Sequence, residues 1–205
     1  MERIFREDKA TQAAMFILRA SGGEMPYMKL IKLLYLGDRA CLLKYGHSIS
    51  NDRYFSLDHG PILSRILDII NEGSRDGVGD YWISHITRPV GYDVFLRNSN
   101  CPTDELSEAE CEILSEVFAE HGNKDKRELV DWMHENIPEW VNPEGSRSLI
   151  SYSDIFIAEK RSASEAIEIE KDLRHIAFLD KLTLQDFLFT LKFLASRAII
   201  IYGLL

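Results

Sequence analysis

The chain has 205 residues, of which 45% are hydrophobic and 28% charged, enough for one buried core, alone or with an appendage. Its 24 basic and 33 acidic side chains leave a formal net charge of −9. Nucleic-acid binding rests on Lys and Arg neutralising phosphates, and with no basic run to offset this balance nucleic acid is not expected as a partner.

Helical signals dominate in chain order. Thr11–Ala20 is short and apolar, and Gly22-Gly23 ends it. Pro26 suits the first turn of a second helix, which runs to Tyr45 with Gly46 as its stop. Leu30, Leu34, Cys41 and Tyr45 mark its apolar side at helical spacing. Gly37 inside that helix costs about 0.5–1 kcal/mol relative to Ala, and a close helix–helix approach is the expected compensation. Residues 47–57 read as extended or irregular. Pro61 is expected to open a third helix reaching Asn71, followed by a Gly-rich loop over residues 72–80.

Residues 81–87 (YWISHIT) and 92–97 (YDVFLR) alternate, and the four residues between them suit a hairpin loop. Ser107-Glu108-Ala109-Glu110 is a capping box opening a helix through Glu120, ended by Gly122. A shorter helix is expected over Lys126–Asn136 with Leu129, Val130 and Met133 inward, and Pro138 beyond it. The loop over 139–148 has one anchor, Trp140. Ser153 suits the cap of a short helix, and a long one is expected from Ser164 to about Leu182.

The last stretch is unusually apolar. Leu184, Phe187, Leu188, Leu191, Leu194, Ala195, Ala198 and Ile201 form one stripe, and Phe189, Phe193 and Ile200 a second face. From Phe187 to Leu205, 14 of 19 residues are apolar, close to the roughly 20 of a membrane span. Lys192 and Arg197 within it would each cost roughly 2.5–3.5 kcal/mol at a bilayer centre, so no span is expected. The fold class is therefore mainly α: a compact multi-helix domain over residues 1–180, with a small β-hairpin or sheet at one edge. Residues 181–205 form an apolar helix that closes the domain or binds a partner.

Few residues advertise chemistry. Asp58-His59-Gly60-Pro61 offers a carboxylate and an imidazole side by side, as a general base would need, but adjacent side chains diverge. Turn chemistry accounts for all four: Gly60 permits an unusual backbone angle, Pro61 pre-sets φ, and Asp58 accepts a backbone hydrogen bond. The histidines form no HxxxH and no CxxC exists. Cys101, Cys111, His121 and His134 lack the close ligand pairs of zinc motifs, so neither a metal nor another cofactor is expected. Three sparse cysteines imply no disulfide framework. Cys41 reads as core, the glutamates beside Cys111 would raise its pKa, and Cys101 reads as an exposed loop residue. The charged opening MERIFREDKATQ has no signal-peptide apolar region, and a cytoplasmic protein is expected. Trp132 and Trp140 suit binding anchors or core packing.

One stretch is more telling as a whole. Residues 28–70 join a helix carrying Lys29, Leu30, Lys32, Leu33, Leu34 and Tyr35 to Gly46, then an aromatic at Tyr54, then His59-Gly60-Pro61 and another helix. This resembles the signature of the Panacea domain, the antitoxin SocA-like family. Leu129, His134 and Trp140, and the stretch 150–156, resemble its later segments. The resemblance covers about residues 10–160 and does not extend to 160–205.

It implies function by binding and no catalysis: an antitoxin that neutralises a cognate protein toxin by direct contact, or an adaptor that delivers it to an ATP-dependent protease. In that reading the 58–61 run is a structural corner presenting Tyr54, Asp58 and His59. The expected contact residues are these three with Trp132, Trp140, Phe189, Phe193 and Ile200. Two competing readings stand beside it. One is a small hydrolase using His59 with Asp38, Asp58 or Cys41. The other is a scaffold that forms homo-oligomers through residues 184–205.

Overall fold

The computed structural model describes residues 4–176 together with 178 and 179. The helix expected beyond residue 183, with Phe189, Phe193 and Ile200, lies outside the described residues. So do the membrane check on residues 187–205 and the oligomerising segment.

The fold is mainly α with two small antiparallel sheets. Helix α1 (Glu7–Ala20) buries Ala10, Ala13, Ala14, Ile17 and Leu18 as one stripe. Strand β1 (Glu24–Pro26) leads into α2 (Tyr27–Tyr45), which Gly46 ends in the left-handed conformation. Helix α2 buries side chains on nearly every face, Lys32 and Asp38 among them, which is the pattern of a central helix. It packs against α1, against strand β3 (Gly60–Leu63), and against α5 (Glu108–His121) and α6 (Lys126–Asn136). The close approach expected at Gly37 is to α5: a Cβ there would stand 2.9 Å from Leu114 Cδ2.

The three-stranded sheet has the order β3–β2–β5, with β2 at Tyr54–Leu57 and β5 at Ser148–Ile150. Tyr54 pairs with Leu63 on one side and Ile150 on the other. Pro61 therefore lies in β3, opposite Ser56, and does not open a helix. Helix α3 (Ser64–Glu72) starts three residues later. The reason is the tight turn at Asp58-His59, which folds the chain back on β2 before any helix can form. After β5, Ser151 rather than Ser153 caps α7 (Tyr152–Ala158), and a last described helix, α8, covers 163–176.

The hairpin expected over Tyr81–Arg97 is largely overturned. Its first arm is a helix, α4 (Asp80–His85). Trp82 and Ile86 are the buried residues, four apart, so the apparent alternation is one turn of helix. The second arm survives as β4 (Asp93–Phe95), which pairs with β1, Met25 opposite Val94. Single bridges Ile86–Leu96 and Val90–Asp93 are what remains of the hairpin.

Neither α3 nor α4 is capped by the side chain that precedes it. Remote carboxylates do the work. Asp52 accepts from the backbone N–H of Arg65 and Ile66 at 3.0 and 3.1 Å. Glu7 accepts from Gly79, Tyr81 and Trp82 at 2.8, 2.9 and 3.1 Å. Each satisfies amides that a helix start leaves without an internal partner.

Candidate functional site

The first turns of α2 set the site. Lys29 Nζ donates to the Gly122 carbonyl at 2.6 Å, closing the C-terminal end of α5. Farther along, Tyr35 Oη donates to Glu139 Oε1 at 2.7 Å, and Arg39 Nε meets the same oxygen at 2.6 Å. Tyr35 and Tyr54 pack edge to face with centroids 5.4 Å apart. Tyr54 Oη reaches Asp38 at 3.2 Å. Tyr54 is 1% exposed, so it is not on the surface where the sequence reading put it. Its place in β2, between β3 and β5 over the core, turns the ring inward. The Asp38 carboxyl is pushed up to about 7 by burial, opposed by the donors of Ser50 and Tyr54.

The Asp58-His59 turn joins β2 to β3, with Leu57 paired to Gly60. Asp58 Oδ1 accepts the Gly145 N–H at 2.9 Å, a loop contact and not a helix start. His59 is exposed. Trp140 donates its indole N–H to the Leu57 carbonyl at 2.8 Å and stacks on His134, centroids 3.9 Å apart and 9° from parallel. Gly60 takes φ +98°, in the left-handed region. A Cβ on it would stand 2.9 Å from Lys32 Nζ and 3.9 Å from His134 Nε2.

These two nitrogens are the unusual feature. Both are buried, and neither has a hydrogen-bond partner. Burial, with the positive charge of Lys126, pushes the Lys32 amine down to about 7. Burial, then the charge of Lys32, lowers His134. Beside them a groove of about 610 Å³ opens between the turn and α6, lined by His59, Lys126, Arg127, Val130, Asp131 and His134. Asp125, which also lines it, is committed to the capping box that starts α6. Val130, expected in the core, is half-buried against this groove. Trp132 lies farther along α6, half-buried, its ring 4.3 Å from that of His121.

The family model for the antitoxin SocA-like, Panacea domain matches residues 30–141, more than half of the chain. The chain belongs to the SocA-like Panacea family. No curated protein and no solved structure matches it. The matched stretch of this Panacea domain runs from α2 to the Trp140 segment. It holds Lys32, Gly60, His134, Trp140 and every residue lining the groove.

In this Panacea domain the partners considered for a His59 dyad all have other engagements. Asp38 Oδ1 accepts from the amides of Ile49 and Ser50, both at 3.0 Å, and Oδ2 from the Ser50 hydroxyl. Asp58 holds Gly145. Cys41 is buried, with Sγ 3.5 Å from His47 Nδ1, and its thiol is pushed up to about 12 by burial and then by Glu110. Cys101 is buried, not exposed: it packs with the core ahead of α5. Cys111 is raised by burial and then by Glu110. Among the described residues Cys101, Cys111, His121 and His134 do not gather. Three others do, Cys41, His47 and Glu110, with ligand atoms all within 4.8 Å of one another.

Reading the sequence missed Lys32 as a chemical feature, although a lysine inside the run LIKLLYL is the available signal. The stacking of His134 on Trp140 had no such signal, because five residues of helix end and turn separate them.

Proposed function

We propose that this Panacea-domain protein is an antitoxin that silences a protein toxin by direct contact, through the Asp58-His59 turn, the outer side of α6 and the groove between them. One observation carries the reading: an unpaired lysine and an unpaired histidine nitrogen buried beside an open groove. A buried ammonium without a partner costs fold stability, as does a buried polar nitrogen left unbonded. A partner seated in the groove would meet His134, which lines it, while Lys32 is fully buried and does not.

The groove sets Lys126 and Arg127 beside Asp125 and Asp131, so both charge signs line it. The overall −9 charge suits encounter with a basic toxin, and the mixed charges of the groove would fix its orientation. Asp58, His59, Trp132 and Trp140 are the contact residues within the described part of the chain. Phe189, Phe193 and Ile200, outside the described residues, are proposed as further contacts. Action in the cytoplasm and delivery of the toxin to an ATP-dependent protease belong to the same reading.

Co-expression with the product of the adjacent gene tests it. That product should arrest growth alone and lose toxicity when this chain is present. His59→Ala and Lys126→Glu, both on exposed positions, should weaken rescue at least tenfold while leaving Tm within a few degrees. A harmless neighbour, toxicity that persists with the wild-type chain, or full rescue by both variants would remove the proposal. Toxin levels in cells with and without the protease separate sequestration from delivery.

A further inference from the structure

The end of α2, the residue just past its stop and the first turn of α5 bring a thiol, an imidazole and a carboxylate together. Cys41 Sγ and His47 Nδ1 are 3.5 Å apart, and His47 Nδ1 and Glu110 Oε1 are 4.0 Å apart. In a tetrahedral zinc site, bonds of about 2.3 Å to sulfur and about 2.0–2.1 Å to nitrogen put S and N about 3.6 Å apart. The Cys41–His47 edge already has that length. Nitrogen and oxygen ligands stand about 3.3 Å apart in such a site, so Glu110 needs to close by about 0.7 Å.

We propose that Cys41, His47 and Glu110 form a three-ligand site for a thiophilic divalent cation of the zinc type. Binding replaces the Cys41 S–H bond with an S–metal bond and releases one proton to solvent. His47 ligates through Nδ1, which leaves its proton on Nε2. No electron is transferred.

Several neighbours bear on the site. The His47 ring lies near that of Tyr45, centroids 6.3 Å apart and 21° from parallel, which limits its orientation. Of the three ligands only His47 lines the neighbouring cavity of about 400 Å³, together with Arg6, Lys9, Tyr45 and Ser48 among others. Glu110 Oε2 stays on the Ser107 N–H of the capping box at 2.8 Å. Oε1 takes no part in the cap; its partner is Lys9 Nζ at 2.7 Å, which also donates to Oε2 at 2.8 Å. Lys9 is the competitor that the metal displaces. The metal would staple α2 to α5, so its effect is on stability, independent of the toxin-binding face.

The test is a titration of the chelator-treated full chain with Co²⁺, followed by absorbance. A thiolate-to-cobalt charge-transfer band and tetrahedral ligand-field bands should saturate at one equivalent, and Zn²⁺ should bleach them. Cys41→Ser should abolish the charge-transfer band. His47→Ala, on an exposed ring and safe for folding, should weaken affinity at least tenfold. Lys9→Met should tighten it about tenfold. No charge-transfer band in the wild-type chain, a band that survives Cys41→Ser through Cys101 or Cys111, or unchanged affinity in His47→Ala would each overturn the assignment.

Discussion

The amine of Lys32 lies against the backbone of Gly60 so closely that a Cβ on residue 60 would stand 2.9 Å from it. The hairpin turn and the central helix are therefore fitted to each other through a missing side chain and an unpaired cation.

Gly60→Ala meets two penalties: a left-handed φ of +98° and the collision with Nζ. A loss of about 1–3 kcal/mol is expected from the backbone conformation alone. Urea unfolding measures it, and a loss below half a kcal/mol, roughly the size of a neutral surface change, would contradict the geometry.

Lys32→Met should stabilise the fold. The amine is pushed from its ordinary 10.5 to about 7, and each unit is worth about 1.4 kcal/mol, so on the order of 4 kcal/mol is released at neutral pH. The same substitution should weaken toxin rescue, which separates stability from the proposed function.

The pH profile follows from three buried groups. The folded Asp38 and Asp52 carboxyls, pushed by burial from 3.8 up to about 7 and about 6, keep protons that the unfolded chain has released. Their contribution to stability is full below 3.8 and falls as pH rises to about 7. Lys32 acts in the other window. Between about 7 and 9 the unfolded chain still holds a proton that the folded amine has lost, so stability rises with pH there; above 9 the Cys41 thiol, raised to about 12, opposes the rise. Unfolding free energies measured across both windows should show a fall and then a rise. In Lys32→Met the alkaline rise should vanish and the acid-side fall remain.

Gly37→Ala tests the α2–α5 contact. Alanine is the better helix former by about 0.5–1 kcal/mol, but its Cβ would meet the buried Leu114 at 2.9 Å. Overpacking costs typically about 1–3 kcal/mol, so a net loss is expected. A variant more stable than wild type by chemical denaturation would show that Leu114 moves aside freely.

Trp140→Phe keeps a ring over His134 but removes the hydrogen bond to the Leu57 carbonyl. The expected loss is about 1 kcal/mol, with a larger loss for Trp140→Ala, read from equilibrium unfolding. An unchanged midpoint in both would remove Trp140 as the anchor of its loop.

Elements whose ends are written locally were legible from the sequence. Gly46 marks the end of α2, and the Ser107 capping box marks the start of α5, because both signals act within a few residues. The reading failed where the deciding group is distant. Pro61 follows a glycine and precedes isoleucines, as at a helix start, yet pairing with Ser56 across a two-residue turn makes it a strand. Residues 81–86 alternate like a strand, but the carboxylate that holds their amides in a helical turn belongs to Glu7. The site was half legible. His59, Gly60, His134 and Trp140 could be picked out as residues. Their gathering around Lys32 depends on how α2, β3 and α6 meet.

That long-range carboxylate ties two motions together. Glu7 sits in the first turn of α1 and grips amides 72, 74 and 75 residues along the chain. Fraying of one helix start is thus the release of the other. Hydrogen exchange at Gly79, Tyr81 and Trp82 should report the opening of α1's first turn, a single cooperative unit assembled from segments far apart in sequence.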